Sequence, residues 1–175
     1  MTKIVSADLG AVEGFVNSAL GGEGEDATKL ISAINDFKTA AKGVLTGPAW
    51  EKEFAALEQY IPILQKRQEL ASSIISATSA ANGVMAAYVG GESVIDDAKL
   101  DELYKEEANI NSTIASIRSK NDKKINAELG GLYSTLDEIQ KQIKKLEKLV
   151  PTDAAAYGNF NGIDAAASNF ASSIK

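Results

Sequence analysis

The chain has 175 residues, a net charge of −6, no histidine and no cysteine. The missing histidine removes Ser-His-Asp and Cys-His nucleophile schemes and ordinary zinc sites together. The acidic balance argues against nucleic-acid binding and against attraction to anionic lipid, and without cysteines redox chemistry does not reveal the compartment. Hydrophobic residues make up 45% of the chain and aromatics only 6%, a mixture led by Ala, Ile and Leu that favours helices over an aromatic-rich core.

In chain order, residues 4–20 read as a first helix, with Ile4, Leu9, Val12, Phe15, Val16 and Leu20 at helical spacing. Gly21-Gly22-Glu23-Gly24 is expected to break it. A second helix comes next, capped by Asp26, with Leu30, Ile31, Ile34, Phe37, Ala41 and Val44 on one face. Leu45-Thr46-Gly47-Pro48 then stops the chain, because Gly suits a left-handed position after a helix and Pro suits the first turn of the next.

A third helix is predicted over about 49–89. Trp50, Phe54, Leu57, Ile61 and Leu64 step by four, three, four and three, and the pattern continues past Pro62, which is expected to kink the helix rather than end it. Residues 70–91 carry no charge and are rich in Ala and Ser. Such small residues suit close helix packing. The segment is long enough to span a membrane, but its Ser, Thr and Asn content argues against insertion.

Gly90-Gly91-Glu92-Ser93 makes a turn, and Asp96 or Asp97 can cap a fourth helix running to about 150. Its apolar positions are Leu100, Leu103, Ile110, Ile114, Ile117, then Ile125, Leu129, Leu132, Leu136, Ile139, Ile143, Leu146 and Val150. From Leu129 onward the steps alternate three and four, a coiled-coil seam. Between Ile117 and Leu129 every step is four, so the supercoil is expected to relax there, after the polar Asn121, with a bend at Gly130-Gly131. Acids at the start of this helix and lysines at its end complement the helix dipole. Val150-Pro151-Thr152 is expected to end it, with Thr152 capping the next segment. A short Ala-rich helical stretch closes the chain, interrupted near 158–162.

The expected fold is therefore all-α: one domain over 1–175, an elongated helical hairpin or bundle. Its two long, coiled-coil-like helices lie at about 49–89 and 97–150, with shorter helices at both ends. No phosphate-binding loop, nucleophile elbow, zinc-protease motif or EF-hand loop is present. Glu102 and Glu106 share a helix face, but paired carboxylates act as acid and base only in a concave, desolvated site. No catalytic residue, metal or cofactor is expected, and the chain reads as a non-enzyme.

One ordered set of features carries more. Leu45-Thr46-Gly47-Pro48-Ala49-Trp50 ends a helix in Leu-x-Gly, with an aromatic three residues later. Tyr60-Ile61-Pro62-Ile63-Leu64 comes after it, and Ser93-Val94-Ile95-Asp96 precedes the charged helix that opens at Leu100-Asp101-Glu102-Leu103. This succession resembles the LXG domain, the N-terminal targeting domain of polymorphic toxins exported by the type VII (ESX) secretion system of Gram-positive bacteria. The resemblance covers nearly the whole chain. It implies a non-toxic helical module that binds small WXG-like helical partners and is presented to the export machinery. The toxin domain itself would be absent from this chain.

On that reading Leu45, Gly47 and Trp50 form the family motif at the hairpin turn. Phe54, Leu57, Ile61, Leu64, Ile114, Ile117, Leu136, Ile139 and Ile143 are candidate partner-interface positions. Tyr133-Ser134-Thr135-Leu136-Asp137 fits the YxxxD export signal of such substrates, with Tyr133 and Asp137 as its defining residues. The protein would be cytoplasmic before export and would leave without a signal peptide, since no apolar leader follows Met1-Thr2-Lys3. Nucleic acid is not an expected partner, and membrane contact is not expected. Two other readings stand beside this one: a membrane-inserting helical protein, supported by the uncharged 70–91 segment, and a coiled-coil spacer without a dedicated partner.

Overall fold

The computed structural model describes residues 3–119 and 126–174. The protein is all-helical apart from a two-stranded ribbon. In chain order the elements are β1 (Lys3–Val5), α1 (Ser6–Ala41), α2 (Pro48–Val89), β2 (Val94–Asp96), a 3-10 turn over Asp97–Lys99, α3 (Leu100–Ser119), α4 (Asn126–Glu147), α5 (Leu149–Gly158) and α6 (Ile163–Ser173). The chain divides into two compact units, one of residues 1–8 and 85–154, the other of residues 9–84 and 155–175.

In the second unit α1 and α2 form an antiparallel hairpin. Arg67 pairs with Glu23, Lys38 with Glu58, and the Gln68 amide donates to the Thr28 hydroxyl at 3.1 Å. From Glu13 through Glu23 to Lys38 on α1 the partner on α2 falls from Asn82 through Arg67 to Glu58, as an antiparallel pair requires. Helix α1 runs unbroken through Gly21-Gly22-Glu23-Gly24, so the expected break is absent and Asp26 lies inside the helix rather than capping one. The reason is tertiary. Val16, Leu20, Ala27, Ile31 and Ile34 keep their register against α2, and Glu23 is tied to Arg67. That packing outweighs the roughly 1 kcal/mol each interior glycine costs relative to alanine. A Cβ at Gly21 or Gly22 would meet nothing within 4 Å. Gly21→Ala with Gly22→Ala is therefore expected to stabilise the protein by about 1–2 kcal/mol, read as a higher urea midpoint. If the segment were a true break, the pair would give no gain.

The turn uses two glycines. Gly43 has φ +98° just after α1, and Gly47 has φ +113° just before Pro48. The Gly47 carbonyl accepts from the Glu51 amide at 3.1 Å, which makes Gly47 the N-cap of α2 and places Pro48 at its first position, where a missing N–H costs nothing. Helix α2 spans 42 residues and continues through Pro62. Helix α6 lies beside α2, with grooves between them lined by Ser72, Ser76, Asn159 and Ile163 on one side and Gln68, Ser72, Ala166 and Asn169 on the other.

The first unit is built on a second antiparallel helix pair, α3 with α4. The Tyr104 hydroxyl donates to Glu147 at 2.6 Å, the Gln140 amide to Glu107 at 2.8 Å, and the Arg118 guanidinium lies 5.5 Å from the centre of the Tyr133 ring. A single rod over 97–150 is thus corrected to two helices packed on each other. Gly130 and Gly131 both lie within α4, which continues through them. Asn121 and Ile125 lie outside the described residues. The unbroken three-and-four spacing of α4 fits this pairing: a seam needs a partner, and α3 supplies it. Ile114, Ile139 and Ile143 are buried along that seam.

The ribbon closes the same unit. β1 pairs antiparallel with β2 in the register Lys3↔Asp96, Ile4↔Ile95 and Val5↔Val94, with Ile4 and Ile95 buried. Residues 3–5 are thus a strand rather than the start of a helix. The Asp96 carboxylate accepts from the Ala98 amide at 3.0 Å and caps the turn that opens α3. Val150-Pro151-Thr152 does not end a helix: α4 stops at Glu147, and these residues lie in the first turn of α5, where Pro is tolerated. The seam accordingly closes on Leu149, which is wholly buried, and Val150 is 61% exposed.

Candidate functional site

Helix α1 presents two apolar stripes. The first faces α2 and comprises Leu9, Val16, Leu20, Ala27, Ile31, Ile34 and Ala41. The second comprises Val12, Phe15, Ala19, Leu30, Ala33 and Phe37, all exposed. At about 100° per residue these six fall within an arc of about 60°, roughly a quarter turn from the buried seam. Phe15 is 73% exposed and Leu30 51%. On the opposite flank of the seam, α1 carries Gly14, Asn17, Gly21, Thr28, Ser32, Asn35 and Thr39. The hairpin therefore has one polar side and one apolar side.

Helix α6 does not cover the apolar side. It lies along the Gln68 edge of α2, and Gln68 reaches Thr28 on the polar flank of α1. Arg67 instead reaches Glu23 on the edge nearer the exposed stripe. Tyr60 stands seven residues before Arg67, on the same face of α2, and is 58% exposed. Tyr60 thus borders the apolar flank from the second helix. At the hairpin turn the flank ends in an aromatic cluster. Phe37 packs on Phe54 with ring centres 6.1 Å apart, and Phe54 on Trp50 at 6.4 Å. Such tilted contacts fix ring positions beyond what area burial does.

This arrangement sorts the sequence-predicted positions. Phe54, Leu57, Ile61 and Leu64 are half-buried on the α2 seam. Trp50 continues that line and stays 39% exposed. Leu45 is half-buried and Gly47 adopts the left-handed conformation expected of it. Ile114, Ile139 and Ile143, proposed from sequence as a partner surface, are buried between α3 and α4, with Ile117 and Leu136 half-buried on the same seam. They fill the protein's own interior and are not a free face. The exposed residues that the sequence pattern did not set apart are Val12, Phe15, Leu30 and Phe37, which it grouped with their half-buried neighbours on one helix face. Their excess was legible: one seam against one partner helix has no room for two apolar stripes.

Tyr133 and Asp137 lie one turn apart on the outer side of α4, where Tyr133 is 38% exposed. Arg118 covers the Tyr133 ring, and Asp137 is paired with Lys141. The hydrogen bond and charge of Asp137 hold the Lys141 ammonium above its usual pKa.

A polar clasp ties the far end of the hairpin. The Asn82 amide donates to the Leu9 carbonyl at 2.9 Å and to the Glu13 carboxylate at 2.7 Å. Asn82 chiefly, with Ser79, holds the Glu13 pKa below its ordinary value. A carboxylate depressed in the folded state stabilises it above the ordinary pKa, and that contribution is lost as pH falls through the depressed one. The stability gap between wild type and Asn82→Ala is therefore expected to be widest near neutral pH and to narrow below the ordinary glutamate range. Urea titrations from acid to neutral pH check this. A gap independent of pH would show that the Glu13 link contributes nothing.

By length and composition α2 is apolar enough to cross a membrane, with a mean hydropathy of 1.2 over its best 18-residue window. Among the described residues no cluster of three or more metal-ligating side chains occurs. No family model matches the sequence, and neither a curated protein nor a solved structure is significantly similar to it.

Proposed function

We propose that the chain is a non-catalytic targeting module of the LXG type. In this reading it binds small WXG-like helical partner proteins and directs an effector toxin to the type VII secretion system. The observation that carries it is the exposed apolar flank of α1. Phe15, Leu30 and Phe37 stand in water on a helix whose other apolar stripe is already used. Exposed apolar surface at helical spacing is what an amphipathic helix docks against, and here it forms two stretches, 12–19 and 30–37, with Asp26 between them on the same face. The Leu45-x-Gly47 turn and the Trp50 cluster at the end of that flank support the same reading, because they hold the two helices at the spacing such a partner would meet.

The test is co-expression with the small helical proteins encoded beside the gene. A stoichiometric complex is expected. Phe15→Ser with Leu30→Ser is expected to weaken it tenfold or more, with the thermal midpoint little changed, since both side chains are exposed. The reading fails if the wild-type chain is a stable monomer that retains none of these proteins. Leakage of liposomes by the purified chain would favour the membrane-acting reading instead.

A further inference from the structure

Helix α6 is held to α2 by little. None of its residues is buried. Its half-buried face is Ile163, Ala166, Ala167, Phe170 and Ser173, with only two large side chains. Among the described residues no ion pair or side-chain hydrogen bond joins α6 to another element, and Ser172 and Ser173 donate only to carbonyls of α6 itself. The turn before it is made of local bonds, from the Asn159 amide to Ala156, from Phe160 to Tyr157 and from Ile163 to Phe160. Gly162 stands at the N-cap without a side-chain bond, and no base lies in the last turn. An isolated helix shorter than about 12 residues is marginal in water, and α6 has 11.

The face of α2 that meets it is built of small side chains. Ser72, Ser73 and Gly162 line both grooves, one of about 430 Å³ on the Ala77 side and one of about 800 Å³ on the Gln65 side. Ala77 lines the first groove with Ile163 and is 7% exposed. Volume left unfilled between two helices is packing attraction that neither gains. The α1/α2 pair differs: Arg67–Glu23, Lys38–Glu58 and Asn82–Glu13 tie it along its length, beside an apolar seam. Elements with few buried contacts open locally, at free energies well below that of global unfolding. We infer that α6 is a strap that opens and recloses by itself while the α1/α2 hairpin stays folded, and that it controls access to the Ser72, Ser76 and Ala77 side of α2. Because α6 does not cover the apolar flank, the strap is independent of the proposed function.

Native-state amide hydrogen exchange on the full chain tests this. Amides of 166–173 are expected to exchange roughly a hundredfold or more faster than those of 74–85 in α2. Their rates are expected to stay flat in low urea, since local opening exposes little surface. Ser72→Leu adds a side chain at an exposed position that lines both grooves, and is expected to slow exchange of 166–173 about tenfold while leaving 74–85 unchanged. Ala77→Cys places a single thiol in a chain that has none. Adding Phe170→Ser is expected to speed its labelling about tenfold, with the urea midpoint read from Trp50 emission little changed. Exchange of 166–173 at the rates and urea dependence of 74–85 would make α6 part of one cooperative unit and overturns the inference. Exchange as fast as that of an unstructured peptide overturns it as well, since α6 would then cover nothing. Labelling that ignores Phe170→Ser, or a Ser72→Leu chain that exchanges like wild type, removes this side of α2 as the seat of the strap and overturns it too.

Discussion

Leu149→Ala is expected to lower the unfolding free energy by about 2–5 kcal/mol, the range for truncating a fully enclosed leucine. Leu149 has no exposed surface, and it is the only large side chain among the described residues of which this holds. It lies just past the end of α4 and opens α5, so it closes the α3/α4 seam below Ile143. Removing its side chain takes away buried apolar area and leaves a cavity that two packed helices cannot fully collapse. Val150→Ala is the internal control. That side chain is 61% exposed, and its loss is expected to shift stability by no more than about 0.5 kcal/mol. Urea denaturation of both variants gives the comparison. If Val150→Ala proved the costlier, the seam would continue on its strict spacing to Val150, and α4 would not end at Glu147.

Gly47→Val is expected to cost about 1–3 kcal/mol of stability through the backbone alone. Nothing lies within 4 Å of a Cβ built there, so no clash explains the loss. The cause is φ at +113°, which a β-branched residue does not adopt without strain. The chain would relieve that strain by unwinding the N-cap of α2, which moves Trp50 off Phe54. The expected signature is a changed tryptophan emission together with the loss of stability. Unchanged emission with full stability would mean that the turn tolerates other geometries, and that the Leu45-x-Gly47 pattern has no conformational basis.

Much of the architecture is legible in residue spacing. The helical class, the extent of α2, the Gly47-Pro48 start, the cap at Asp96 and the interruption between α5 and α6 all follow from local chemistry. Spacing does not reveal what each stripe packs against. Val12 and Val16 look alike along the sequence, and only the position of α2 makes one exposed and the other half-buried. The same holds for Ile139 and Ile143. Their spacing announces a seam, but whether the facing helix belongs to this chain or another is a tertiary fact. The break that Gly21-Gly22 suggests is absent for a related reason. Local propensity carries no information about the partner helix that overrides it. β1 is three residues long, and its only signal is a pairing partner about ninety positions away.

That pairing has a consequence for how the protein is made. The two hairpins join near neighbours in sequence, so each can close as soon as its second helix exists. Ile4 is different: its partner Ile95 emerges only after both long helices of the first hairpin have been synthesised. Closing a loop of that length carries an entropic cost that the two buried isoleucines must offset. During translation β1 therefore waits, unpaired, until β2 has followed the glycine turn at 90–91 out of the ribosome. The ribbon can thus latch only after α1 and α2 are complete, yet before α3 and α4 have been made, so β1 is in place when the helices of its own unit arrive.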